Sequence, residues 1–109
     1  MSWLLRDGEV LASLEVAESR PARTRGLLGR RGIEGTILLR PARSVHSLGM
    51  RFPIDVAFLD RELRVVRIIS MKRWRVSRPV ARAHAVLEAE RGAFRSWELR
   101  PGDQLEIKE

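Results

Sequence analysis

The stretch His46-Ser47-Leu48-Gly49-Met50-Arg51-Phe52-Pro53-Ile54-Asp55 brings several kinds of chemistry together over a short length of chain. A histidine titrates near neutral pH and serves as an acid or a base. Gly49 permits a positive φ or a close backbone approach. Met50 is an adaptable apolar contact. Arg51 offers a planar fork that matches a carboxylate or a phosphate. Asp55 opens an alternating apolar run, and Glu88 sits inside the run Ala85-Val86-Leu87-Glu88-Ala89. A carboxylate in such a run needs a partner, and an arginine from the basic segments is the expected one. His46, Gly49, Met50, Arg51, Asp55 and Glu88 are therefore the candidate ligand-binding residues. A plainer reading stands beside this one: Met50 is core, Arg51 pairs with Asp55 or Glu88, and Gly49 only turns the chain.

Other site chemistries find less support. Ser44 and Ser47 flank His46, but neighbours on a strand face opposite ways, and no Gly-x-Ser-x-Gly elbow is present. The Gly-rich segment from Gly26 to Gly35 lacks the Gly-Lys-Ser/Thr ending of a phosphate loop. Only two histidines exist, His46 and His84, with Asp55, Asp60 and Glu88 as oxygen donors, and no pair has the spacing of a helical zinc motif. A strand over 83–89 would put His84 and Glu88 on one face, as ordinary surface pairs also are. Asp55 and Asp60 could work as an acid and a base only across a cleft. The absence of cysteine excludes disulfides, a thiol nucleophile and iron–sulfur or cysteine-zinc sites. No cofactor and no metal is called for.

Charge points to anionic partners. The 109 residues carry 21 Lys and Arg against 14 Asp and Glu, a net +7. From Arg20 to Arg51 eight bases face the single acid Glu34, and from Arg61 to Arg82 eight face the single acid Glu62. Such segments attract phosphate, nucleic acid or acidic protein surfaces. Of the bases only Lys72 and Lys108 are lysine, a bias that genome composition also produces. Stacking aromatics are few, three Trp and three Phe, and only Trp74, between Arg73 and Arg75, lies within a basic run.

The elements that must position these residues follow from hydrophobic periodicity. The length suits one domain, 1–109. Val10 to Val16 reads as a strand, with Trp3-Leu4-Leu5 paired to it across an Asp7-Gly8 turn. Ser19 and Pro21 start a short helix that stops near Gly29. Thr36 to Arg40 is a buried-type strand broken by Pro41, and Ser44 to Leu48 is a further short strand. Ile54, Val56 and Phe58 alternate with Asp55, Ala57 and Leu59 in a strand. A turn at Asp60 to Leu63 leads into a β-branched strand from Arg64 to Met71, forming a hairpin. Lys72 to Arg82 is a loop, and Ala83 to Ala89 a strand. Gly92 to Leu99 is a short helix burying Phe94 and Trp97, and Leu105 and Ile107 face inward from a last strand. The fold expected is α+β: a dominant, partly curled mixed or antiparallel sheet of about seven strands with two short helices. No apolar run is long enough to cross a membrane, and the first residues carry no export signal, which predicts a cytoplasmic location.

Four blocks carry a family likeness. Gly26-Leu27-Leu28-Gly29-Arg30 resembles the helix end of the uncharacterised prokaryotic family called domain of unknown function 192. The segment His46 to Asp60 is similar to that family's central signature, in which a Met and a basic residue lead into a Pro-hydrophobic-Asp-Val-x-Phe strand. Leu87-Glu88 with Gly92, and then Gly102-Asp103, resemble its C-terminal pattern. Arg51-Phe52 stands where the family often has Lys-Asn-Thr, so the chain looks like a short-loop variant. Many members also carry an export signal. The resemblance implies a compact α+β domain and implies no reaction.

These observations suggest a non-catalytic binding module that presents an Arg-rich surface to an anionic small molecule or an acidic protein. Two other classes stay open: a small hydrolase or isomerase using His46 with Asp55, and a weak nucleic-acid-binding protein. Asp103, after Gly102, is expected to cap the turn into the last strand.

Overall fold

The structure is a computed structural model and describes residues 2–19, 35–47 and 52–109. Seven strands form one mixed sheet: β1 (Ser2–Arg6), β2 (Glu9–Ala17), β3 (Thr36–Leu39), β4 (Ile54–Leu59), β5 (Val65–Met71), β6 (Ala85–Glu90) and β7 (Glu106–Lys108). A single-turn helix, α1 (Ala93–Ser96), lies between β6 and β7. The order across the sheet is β5-β4-β6-β3-β2-β1-β7. All pairings are antiparallel except β2 with β3. A parallel pair needs a long connection, and residues 18–35 supply the length.

The sheet is open but curled. Leu105 N–H donates to Leu63 O, Val65 N–H to Asp103 O, and an isolated bridge joins Arg64 to Gln104. The chain entering β5 at one edge thus meets the chain entering β7 at the other. Curling lets both faces of the central strands bury side chains. On β4, Ile54, Val56 and Phe58 join one apolar cluster with Ile37, Leu39 and Val86, while Ala57 and Leu59 join the other with Leu4, Leu38, Leu87 and Phe94. Burial on two faces explains why the central strands read as nearly continuous apolar runs. Removing a side chain such as Phe58 or Leu87 from water contributes about 2 kcal/mol apiece.

Two turns depend on side chains that sequence placed there. Asp60 Oδ1 accepts the N–H groups of Glu62 and Arg64 at 3.0 and 2.9 Å, which closes the β4–β5 hairpin. Asp103 Oδ2 accepts Arg100 N–H and Arg6 Nη1, both at 3.0 Å, so it caps the turn before β7 and ties it to β1. Arg6 Nη2 donates to Trp97 O at 2.6 Å, fastening the end of α1 to the same strand.

The expected strands at the two ends, the β4–β5 hairpin and the strand before Gly92 are all present. Two expectations change. Of the two short helices, α1 is present, and the one expected from Ser19 to Gly29 lies, beyond its first residue, outside the described residues. The strand expected over Ser44 to Leu48 is reduced to one bridge, His46 to Val76, with Leu48 outside the described residues. Its neighbour is the loop 72–80, which contains Pro79 and pairs partly through serine hydroxyls rather than through a regular ladder: Val45 N–H donates to Ser77 Oγ at 2.9 Å.

Candidate functional site

Asp55 is the central acid of the described site. It lies on β4, between Ile54 and Val56, and is 5% exposed. A carboxylate buried this far must be satisfied by donors. Ser70 Oγ, on β5 directly across the ladder, donates to Oδ1 at 3.1 Å. Gly92 N–H and Phe94 N–H, at the start of α1, donate to Oδ2 at 2.9 and 3.3 Å. Gly92, the N-cap residue of α1, takes φ +97 and offers no side-chain cap of its own. Asp55 supplies that cap from the neighbouring sheet.

This arrangement builds a cleft of about 520 Å3 between β4, β5 and α1. Asp55 and Ser70 lie in its lining, and Arg91, Arg95 and Arg100 border it, with Glu98 as a second acid. Arg91 precedes Gly92, Arg95 lies within α1, and both line the cleft. Among the described residues none of the three guanidinium groups has a hydrogen-bond or ion-pair partner. The cleft thus combines a committed acid with three uncommitted cations.

The six residues singled out in the sequence are distributed as follows. Gly49, Met50 and Arg51 lie outside the described residues. Asp55 is the cleft acid. Glu88 is 2% exposed on β6, and it faces Ile37 and Val56 across its two ladders. Strand alternation therefore sends Glu88 to the opposite face of the sheet from Asp55. His46 is half-buried, and its Nδ1 is buried without a hydrogen-bond partner. It does not line the Asp55 cleft. Ser47, weighed as a nucleophile, is fully buried and holds a turn instead: its hydroxyl donates to Lys72 O at 2.6 Å and accepts Arg75 N–H at 2.8 Å. Among the described residues no three His, Asp or Glu side chains gather as a metal site.

Sequence reasoning missed Ser70, Arg91, Arg95 and Arg100. The nearness of Arg91 and Arg95 on either side of Gly92 was available as a signal. Their meeting with Asp55 was not, because it depends on β4 lying beside β6.

Comparison with known proteins agrees with this fold. The family model for domain of unknown function 192, described as "Uncharacterized ACR", matches residues 3–107. A UPF0127 protein of Pyrococcus horikoshii is 33% identical over 96% of this chain and 90% of its own length. One from Pyrococcus furiosus is 32% identical over 90% of this chain and 89% of its own. Among solved structures, a protein of unknown function from Novosphingobium aromaticivorans superposes with a TM-score of 0.79 at 20% identity, covering 96% of this chain and 82% of that one. A putative transcription regulator from Sinorhizobium meliloti gives 0.79 at 21% identity, covering 97% of this chain and 91% of that one. At such identities the two structures speak for the fold alone.

Proposed function

Because the chain belongs to the uncharacterised family of domain of unknown function 192, we propose from its own geometry that it is a non-catalytic binding module for an anionic small molecule. The observation that carries this reading is the meeting of Arg91, Arg95 and Arg100 around one cleft without described partners. Guanidinium groups are weakly hydrated and forked, so an incoming carboxylate or phosphate gains paired hydrogen bonds at modest desolvation cost. Asp55 supports a binding role over a catalytic one. Its oxygens accept three donors, two of them backbone N–H groups at the start of α1, so burial and structural capping account for the carboxylate without a catalytic role. The net +7 adds a long-range attraction for any anion.

Thermal unfolding at low ionic strength tests the proposal. Phosphates, pyrophosphate and di- or tricarboxylates should raise Tm in a concentration-dependent way. The rise should shrink sharply in Arg91→Ala/Arg95→Ala, whose Tm without ligand should stay near the parent's. No stabilisation by any of these anions, or an equal rise in the double variant, rejects the cleft as the binding site.

A further inference from the structure

A second basic surface adjoins the cleft and is built differently. Lys72, Arg73, Trp74, Arg75 and Arg91 border a groove of about 400 Å3 that Pro53 also lines. Arg91 lines both this groove and the Asp55 cleft, so the two adjoin. Trp74 is 61% exposed, although an indole in water forgoes a large apolar gain. Its backbone also takes φ +60, a conformation that a bulky residue adopts rarely.

The turn that holds it is fixed from inside. Trp74 N–H donates to Ser47 O at 3.0 Å, and Ser47 N–H to Arg75 O at 2.7 Å. The buried Ser47 hydroxyl adds its bonds to Lys72 O and Arg75 N–H. The chain thus spends backbone strain and a buried hydroxyl to present one indole amid four cations. Strain held in place by surrounding structure is a mark of functional segments.

An indole face and guanidinium groups on one groove match a ligand that has a flat aromatic part and a phosphate. We infer that Trp74, Lys72, Arg73, Arg75 and Arg91 form a nucleotide site, with the base stacked on the indole and the phosphate held by the cations. Stacking on an aromatic side chain tolerates any base, and cationic neighbours track the phosphate. The same chemistry is offered by a free nucleotide and by one unit of a single-stranded oligonucleotide. The inference extends the anion-binding reading from the cleft to the adjoining groove, and it can fail separately.

The test is a titration followed by the three tryptophan indole N–H signals in nitrogen-15 correlation spectra, with Trp74→Phe assigning the relevant one. The probes are adenosine monophosphate, ribose 5-phosphate, inorganic phosphate and a short oligothymidylate at low salt. Adenosine monophosphate should shift the Trp74 signal and bind more tightly than ribose 5-phosphate. Trp74→Ala should weaken nucleotide binding by roughly 5- to 150-fold, the range of one stacked base, and leave ribose 5-phosphate unchanged. Tighter binding of the oligonucleotide than of the monomer, with a steep salt dependence, identifies a strand as the source. Comparable affinity for the monomer identifies the free nucleotide. Equal binding of adenosine monophosphate and ribose 5-phosphate, or an unmoved Trp74 signal, overturns the nucleotide site while leaving the cleft standing. Nucleotide binding that survives Arg95→Ala/Arg100→Ala, in a protein whose cleft takes no anion, supports the groove and removes the cleft.

Discussion

Asp55 Oδ2 accepts the backbone N–H of Gly92 at 2.9 Å, which joins the middle of the sheet to the first turn of α1. The same oxygen takes Phe94 N–H at 3.3 Å, and Oδ1 takes the Ser70 hydroxyl. One side chain therefore fixes the position of Arg91 and Arg95 over the cleft. The carboxylate that looks like a catalytic acid in the sequence is what holds the cleft's cations in place.

Replacing Asp55 should cost stability before it costs anything else. Asp55→Ala leaves the buried Phe94 N–H without its acceptor and removes two further charge-assisted bonds, a loss of about 3 kcal/mol. Asp55→Asn keeps an acceptor oxygen and should lose about 1 kcal/mol. Urea unfolding measures both, with amide exchange at Phe94 as the local readout. Equal stability of the alanine variant and the parent would show that the cap contributes nothing.

Ser47 makes a comparable link under the adjoining turn, Lys72 to Arg75. Its hydroxyl is the donor to Lys72 O and the acceptor from Arg75 N–H, inside a residue with no exposure. Ser47→Ala should destabilise the fold by about 1–2 kcal/mol. It should also speed amide exchange at Arg75 far more than in β4 or β6, because the lost bond is local. Uniform acceleration across the sheet, or none at Arg75, would contradict the hydroxyl's role as the anchor of the Trp74 turn.

What the sequence disclosed, and what it withheld, follows the range of each interaction. The β4–β5 hairpin was legible because Ile54, Val56 and Phe58 alternate and Asp60 begins a tight turn, both local signals. Asp103 was legible as a turn cap for the same reason, although its second partner, Arg6, comes from the far end of the chain. Asp55 was legible only as a residue of interest. Its role is set by Gly92 and Phe94, brought near by the pairing of β4 with β6, and no spacing in the sequence encodes that pairing. Ser47 misled for a similar reason: beside a histidine it resembles a nucleophile, and only the packing of the 72–75 turn against it gives the hydroxyl its partners. Glu88 was expected to need a partner, and its burial on β6 agrees with that need. The separation of Glu88 from Asp55 onto opposite faces required the register of β6 against β4, with Val56 beside Glu88 and Ala89 beside Asp55.

Gly35 offers the sharpest test of the parallel pair at the centre of the sheet. It takes φ +80 immediately before β3, and a Cβ there would run into Ser13 Oγ and lie 2.8 Å from Ser13 O. That carbonyl already accepts Thr36 Oγ1 at 2.9 Å, so it cannot retreat without breaking this side-chain bond beside the start of the β2–β3 ladder. Gly8 has nearly the same backbone, φ +79, but a Cβ there would meet nothing within 4 Å. Gly8→Ala thus isolates the backbone term, about 1 kcal/mol, while Gly35→Ala adds the collision and should cost about 3 kcal/mol. Removing the hydroxyl in Ser13→Ala/Gly35→Ala should recover only part of the loss, because the carbonyl contact persists. Urea midpoints for the parent and the three variants, compared at a common slope, decide it. If Gly35→Ala proves no worse than Gly8→Ala, the close approach of β2 and β3 at this point is wrong.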